Sequence, residues 1–170
     1  MSKESELEGM VRVHPAGGHR DSRRVITDMP IGYLHGQEIA VVNFIDVLDT
    51  SGLPLGQHFH ANYGEYFTIA KGKGTLIIRA VMPGETNRIK PEIVVPESIA
   101  QCSKYQGLFG VETTLDVDSS DPNRKFVKVS PGLAHTFILS SGSVLVPFIV
   151  DAPNDFNPHD KGNYISFPLI

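Results

Sequence analysis

A chain of 170 residues, 41% hydrophobic and 20% charged, is long enough to bury one core and has the composition of a soluble globular domain. Its formal net charge of −4 argues against a broad basic footprint for nucleic acid, and the one basic run, "HRDSRR" at 19–24, is short and interrupted by Asp21. The single cysteine, Cys102, excludes an intrachain disulfide, and no run approaches the roughly 18 to 20 apolar residues that span a bilayer.

The chain opens on "MSKESELEGM", polar and acidic, without the apolar stretch of a secretory signal, so the cytoplasm is the expected location. Residues 1–22 read as an N-terminal arm, either pairing with another subunit or folding back on the chain's own domain. Short apolar, β-branched runs follow: 23–27, 38–47, 65–70, 74–81, 92–95, 125–130, 134–139, 143–150 and 164–169. Gly and Pro are scattered between them, and no segment sustains a helical apolar period. This pattern predicts an all-β sandwich or barrel, with 23–170 forming one domain. Residues 82–124 read as a long insertion, in which 96–110 has the composition of a short helical turn. Cys102 lies in that piece without a partner cysteine and reads as a small structural thiol.

Within "GLPLGQHFHANYGEYFTIAKGKG" (52–74), His58 and His60 are two apart, so on a strand they share one face and Phe59 takes the other. "ANYG" then turns the chain and brings Glu65 to the start of the next strand. Two imidazoles and a carboxylate converging on one point can hold a metal; the same three on an exposed face would be ordinary polar residues. In "KFVKVSPGLAHTFIL" (125–139) a Ser-Pro-Gly turn precedes His135, read either as a fourth ligand or as a hydrogen-bonded core histidine.

Together these two segments resemble the cupin superfamily. The first matches the family's Gly, five residues, His-x-His, four residues, Glu, six residues, Gly through Gly52, His58, His60, Glu65 and Gly72. The second matches Pro-x-Gly-x-x-His at Gly132 and His135, with Ser130 in the place of the Pro, Leu139 where the family has Asn and Arg124 where it has Gly. The resemblance covers about 50–150. It implies a double-stranded β-helix, that is, a jelly-roll barrel, a homodimer, and one divalent metal ion (Zn, Fe, Mn, Ni or Co) held by His58, His60, Glu65 and His135. A narrower similarity, carried by "HFHANYGEYFTIAKGKG" and "DFNPHDKGNY" (155–164), is to the cupin domain of capsular-polysaccharide enzymes that epimerise UDP-sugars.

The function expected from these resemblances is metal-dependent isomerisation or epimerisation of a sugar or nucleotide sugar, a small-molecule substrate with neither nucleic acid nor membrane as partner. The alternatives are a mononuclear metal-dependent dioxygenase of a small organic acid and a non-catalytic small-molecule-binding cupin. No general base is named by the sequence; Tyr63 and Tyr105 are the catalytic candidates, with Tyr66 and His159 behind them.

Overall fold

Strand-forming runs that are buried on alternate or both faces need a second sheet to cover them, and the chain supplies two. The computed structural model describes residues 2–10, 12–15, 17–20, 25–28, 39–48, 53–97, 100–121, 125–150 and 164–170. Among these residues there are one α-helix, α1 (Lys3–Met10), and thirteen strands. The strands are β1 (Arg12–Pro15), β2 (Gly17–Arg20), β3 (Val25–Asp28), β4 (Ile39–Val42), β5 (Ile45–Asp46), β6 (Leu55–Phe59) and β7 (Gly64–Lys71). They continue as β8 (Lys73–Ala80), β9 (Glu112–Asp118), β10 (Lys125–Val129), β11 (Leu133–Leu139), β12 (Val144–Val150) and β13 (Ile165–Ser166). A 3-10 helix occupies Ala100–Leu108. No described helix is long and apolar enough to cross a membrane.

One sheet has six strands, in the order β1-β10-β7-β12-β4 with β5 also on β12; the other has five, in the order β13-β6-β11-β8-β9. From β5 to β8 and again from β9 to β13 the chain crosses between these two sheets at every step, β2 and β3 pair only with each other, every pairing is antiparallel, and the result is a jelly-roll barrel. Phe67, Ile69, Leu76, Ile78, Leu133, Phe137 and Leu145 face one another between the sheets and are buried. Leu7 of α1 is wholly buried in the same cluster, and β1 pairs with β10, so these N-terminal residues pack on the chain's own barrel.

The 82–124 span divides into three parts. Residues 82–97 lie with Val81, Val95, Phe59, Ala134 and Phe167 on the outer side of the five-stranded sheet. Asn87, buried, fastens this layer: its Nδ2 donates to Pro168 O at 2.8 Å, and its Oδ1 accepts from the amides of Ile89 and Lys90. The helical turn read over 96–110 is the 3-10 helix, whose Tyr105 and Leu108 enter the main core. The third part, β9, was read as connection but pairs along its whole length with β8. Its "ETTLDVD" hides a period of two, with Thr113 and Val117 buried, Leu115 half-buried against the core, and Glu112, Thr114 and Asp116 exposed, because Thr and Asp carry much of the alternation. The run at 92–95 forms only an isolated bridge, Val94 to Thr86, since Pro91 and Pro96 bound it.

Candidate metal centre

His58 lies on β6 and His60 immediately follows it; their alternation sends both rings inward and leaves Phe59 fully buried on the outer face, edge-on to Phe167. A bend at Ala61–Asn62 reverses the chain, and Glu65 enters β7. The fourth residue comes from far along the sequence: β11 pairs antiparallel with β6, and His135 is the direct partner of His58. The Pro131–Gly132 turn is tied to the first motif by the Gly132 amide, which donates to His60 O at 2.8 Å.

Nε2 of His58 and Nε2 of His60 are 3.1 Å apart, and His60 Nε2 is 2.8 Å from Glu65 Oε2. His135 Nε2 lies 3.4 Å from the same Glu65 oxygen, and one donor atom from each of the four residues lies within 4.8 Å of all the others. Around one cation with bonds of about 2.1 Å, neighbouring ligand atoms stand about 3.0 Å apart in an octahedron and about 3.4 Å apart in a tetrahedron. The contacts of 2.8, 3.1 and 3.4 Å are close to that spacing, and the widest pair, at up to 4.8 Å, would have to draw in around an ion.

Proton bookkeeping points the same way. His60 Nε2 can carry at most one proton, and directing it at Glu65 leaves two nitrogens 3.1 Å apart with His58 unsupplied. His58 is itself hydrogen-bonded to the backbone of Gly56, and His135 Nδ1 donates to Leu133 O at 3.4 Å, which turns each remaining ring nitrogen toward the cluster. Burial, reinforced by the neighbouring His135 and His60, lowers the His58 pKa to about 3, so its ring is neutral at physiological pH, as ligation requires. For Glu65 burial pushes upward, but its close contacts with His135 and His60 outweigh it and hold the carboxyl below the usual carboxylate range. Three imidazoles and one carboxylate, all buried except the half-buried His58, form a donor set that fits a divalent cation.

The four residues line a cavity of about 210 Å³ between the sheets. Phe67, Phe137 and Leu145 form its apolar wall, and the Phe67 ring packs 5.3 Å from His135. Tyr63 lines it and lies against His60 with ring centroids 4.2 Å apart. Burial, the Glu65 charge and Tyr164 raise the Tyr63 phenol above its ordinary value, so it remains a proton donor throughout the neutral range.

Tyr105 does not join the site. Its hydroxyl donates to Pro131 O at 3.1 Å from within the core, and it does not line the cavity. Tyr66 faces the other side of its sheet, under Lys128, and His159 lies outside the described residues. Sequence reading missed Tyr164, whose ring is 5.1 Å from His58, because only the short pairing of β13 with β6 brings it there. Asn43, also in the lining, was missed within an otherwise apolar run. Among the described residues of 82–124, none lines the cavity.

No protein-family model and no curated protein matches the chain. Solved structures do. A dTDP-6-deoxy-D-glucose-3,5-epimerase from Legionella pneumophila Philadelphia 1, in complex with dTDP-4-keto-L-rhamnose, matches with TM-score 0.61 and 13% identity over 92% of this chain and 71% of its own. A 3,4-ketoisomerase from Thermoanaerobacterium thermosaccharolyticum, in complex with TDP-4-keto-6-deoxyglucose, matches with TM-score 0.59 and 14% identity over 92% of this chain and 86% of its own. A Mycobacterium tuberculosis epimerase gives TM-score 0.56 and 20% identity over 87% of this chain, which spans only 65% of that enzyme. At these identities the likeness establishes the fold: the chain has the same jelly-roll barrel as these sugar-nucleotide epimerases and ketoisomerases.

Proposed function

We propose that the protein is a metal-binding member of the cupin superfamily that isomerises or epimerises a keto sugar carried on a nucleotide. The observation that carries the metal half is the convergence of His58, His60, Glu65 and His135 within 4.8 Å on the wall of a cavity. The sugar half is supported by the barrel shared with enzymes solved in complex with 4-keto sugar nucleotides.

A divalent ion held by these four residues would supply a Lewis acid able to polarise a carbonyl or enediolate oxygen. The chain's own residues do the rest. A cavity of about 210 Å³ is smaller than the roughly 300–1,000 Å³ of sites that enclose drug-sized ligands, so it suits a single sugar ring. Phe67, Phe137 and Leu145 exclude water from that ring and raise the strength of each polar contact within it. Tyr63 holds a proton beside the site, where it can donate to an oxygen that gains negative charge as a neighbouring C–H is broken. No Lys or Arg lines the cavity among the described residues, so the diphosphate would lie outside it.

A second reading rests on the 2.8 Å contact between His60 and Glu65. With no ion bound, the carboxylate orients His60 as a general base for the same proton transfer.

Elemental analysis of the purified protein, beside His58→Ala/His60→Ala, tests the metal. Solvent-deuterium incorporation into a 4-keto-6-deoxy sugar nucleotide, followed by NMR with and without oxygen, tests the reaction. About one metal ion per chain, lost in the double variant, with oxygen-independent exchange is expected. Exchange by rigorously metal-free protein favours the dyad. Substrate-dependent oxygen uptake would replace both readings with a dioxygenase.

A further inference from the structure

Strand β6 departs from a regular ladder one residue before the first histidine. His58 pairs with His135, yet the next residue of β11, Thr136, pairs with Gly56, so Gln57 is an extra residue. The chain absorbs it by entering the left-handed region twice, with Gly56 at φ 88° and Gln57 at φ 59°. Glycine does so freely; a glutamine Cβ crowds the following carbonyl there. The Gln57 side chain does not repay that strain, since its Oε1 is buried with no hydrogen-bond partner among the described residues.

The fold does not require the extra residue. Leu55 and Phe137 are partners that both line the cavity, as are His58 and His135. Deleting Gln57 would leave the same residues inside and give an uninterrupted register. What a bulge changes is local twist, and so the aim of the side chain that follows it. That side chain is His58. Both bulge residues are tied down: Gln57 O accepts from the amide of buried Phe167 at 2.8 Å, and the backbone of Gly56 hydrogen-bonds the His58 ring. Position 56 has no room to spare, because a Cβ there would stand 3.3 Å from His135 O and 3.8 Å from its ring.

We propose that the strained Gly56–Gln57 bulge is a positioning device that turns Nε2 of His58 into the His60–Glu65–His135 cluster, so that the bulge sets metal affinity. This rests on the metal reading above. Wild type, a deletion of Gln57, Gln57→Gly and Gly56→Ala are titrated with Mn(II) and with Zn(II) by calorimetry. The nuclear Overhauser contact between the His58 and His60 rings is recorded in the metal-free proteins. Gln57→Gly keeps the bulge without the strain; it should melt higher than wild type and bind within about threefold. The deletion should stay folded, lose at least about tenfold in affinity and weaken the ring contact. A folded deletion with wild-type affinity and an unchanged ring contact overturns the proposal. If the deletion does not fold, Gly56→Ala carries the test: at least about a tenfold loss supports the proposal, and wild-type affinity overturns it. No uptake by wild type would overturn the metal reading alone, and the ring contact in the metal-free variants would then decide the role of the bulge.

Discussion

His60 Nε2 and Glu65 Oε2 lie 2.8 Å apart in buried surroundings, five positions apart in the chain, and His135 approaches the same carboxylate oxygen from another strand at 3.4 Å. One anionic oxygen thus organises two imidazoles from distant parts of the sequence. Stability, pH response and metal binding should each depend on it.

Glu65→Gln keeps the volume and removes the charge. If the proposed site holds a metal, the variant should bind Mn(II) or Zn(II) at least about tenfold more weakly than wild type, because the cluster loses the one carboxylate among its four described donors. His135→Ala should lose at least as much and also leave a void beside Phe67 and Phe137. Calorimetric titration beside a melting curve separates the two effects: Glu65→Gln changes affinity more than stability, whereas His135→Ala lowers both.

Acid should destabilise the metal-free protein in two stages. His58 titrates near 6.5 when unfolded and at about 3 when folded, so between those values the unfolded chain binds the extra proton and stability falls as pH falls. One such group contributes a slope of at most about 1.4 kcal/mol per pH unit. Glu65, held below its ordinary 4.5, stabilises the fold above that pH and loses its contribution as acidification proceeds below it. Urea unfolding from pH 7 to 4 should show the slope, and His58→Gln should flatten it above pH 4.5. An unchanged slope in that variant would contradict the assignment.

The two tyrosines singled out from sequence should behave oppositely. Tyr63→Phe keeps the ring against His60 and removes the donor, so turnover of a 4-keto sugar nucleotide should fall by about 10² to 10⁴ with metal affinity within about threefold. Tyr105→Phe loses one hydrogen bond to Pro131 O, costing about 1 kcal/mol of stability, with turnover unchanged. Steady-state kinetics and thermal melts of the pair check both.

Asn87→Ala tests the outer layer. It removes three hydrogen bonds and leaves Pro168 O and two amides short of partners, which should cost about 2–4 kcal/mol. For a chain of this size that is a drop in Tm of roughly 5–15 °C. Metal affinity should not change, because this layer packs behind Phe59 rather than against the histidines.

Most of the strands were legible because β7, β8, β11 and β12 are rich in β-branched and aromatic residues between turns. β9 was not, because an edge strand with one buried face can carry its alternation in Thr and Asp. Tyr105 looked like a pocket residue on composition alone; its hydroxyl had a backbone acceptor that no local pattern reveals. Tyr164 was not named as a site residue although the quoted run 155–164 ends on it, since no local pattern shows that a two-residue strand carries it to the cavity.

Local chemistry by itself determined that His58 and His60 share a face, that Glu65 follows a tight turn and that the chain is all-β, since side-chain alternation and turn composition act over a few residues. Tertiary structure decided what those residues meet. His135 reaches Glu65 only because β11 lies antiparallel beside β6, and His58 meets His135 across a register broken at Gln57. Strand pairing of that range is set by how two sheets close over one core, and a sequence read in short windows does not contain it.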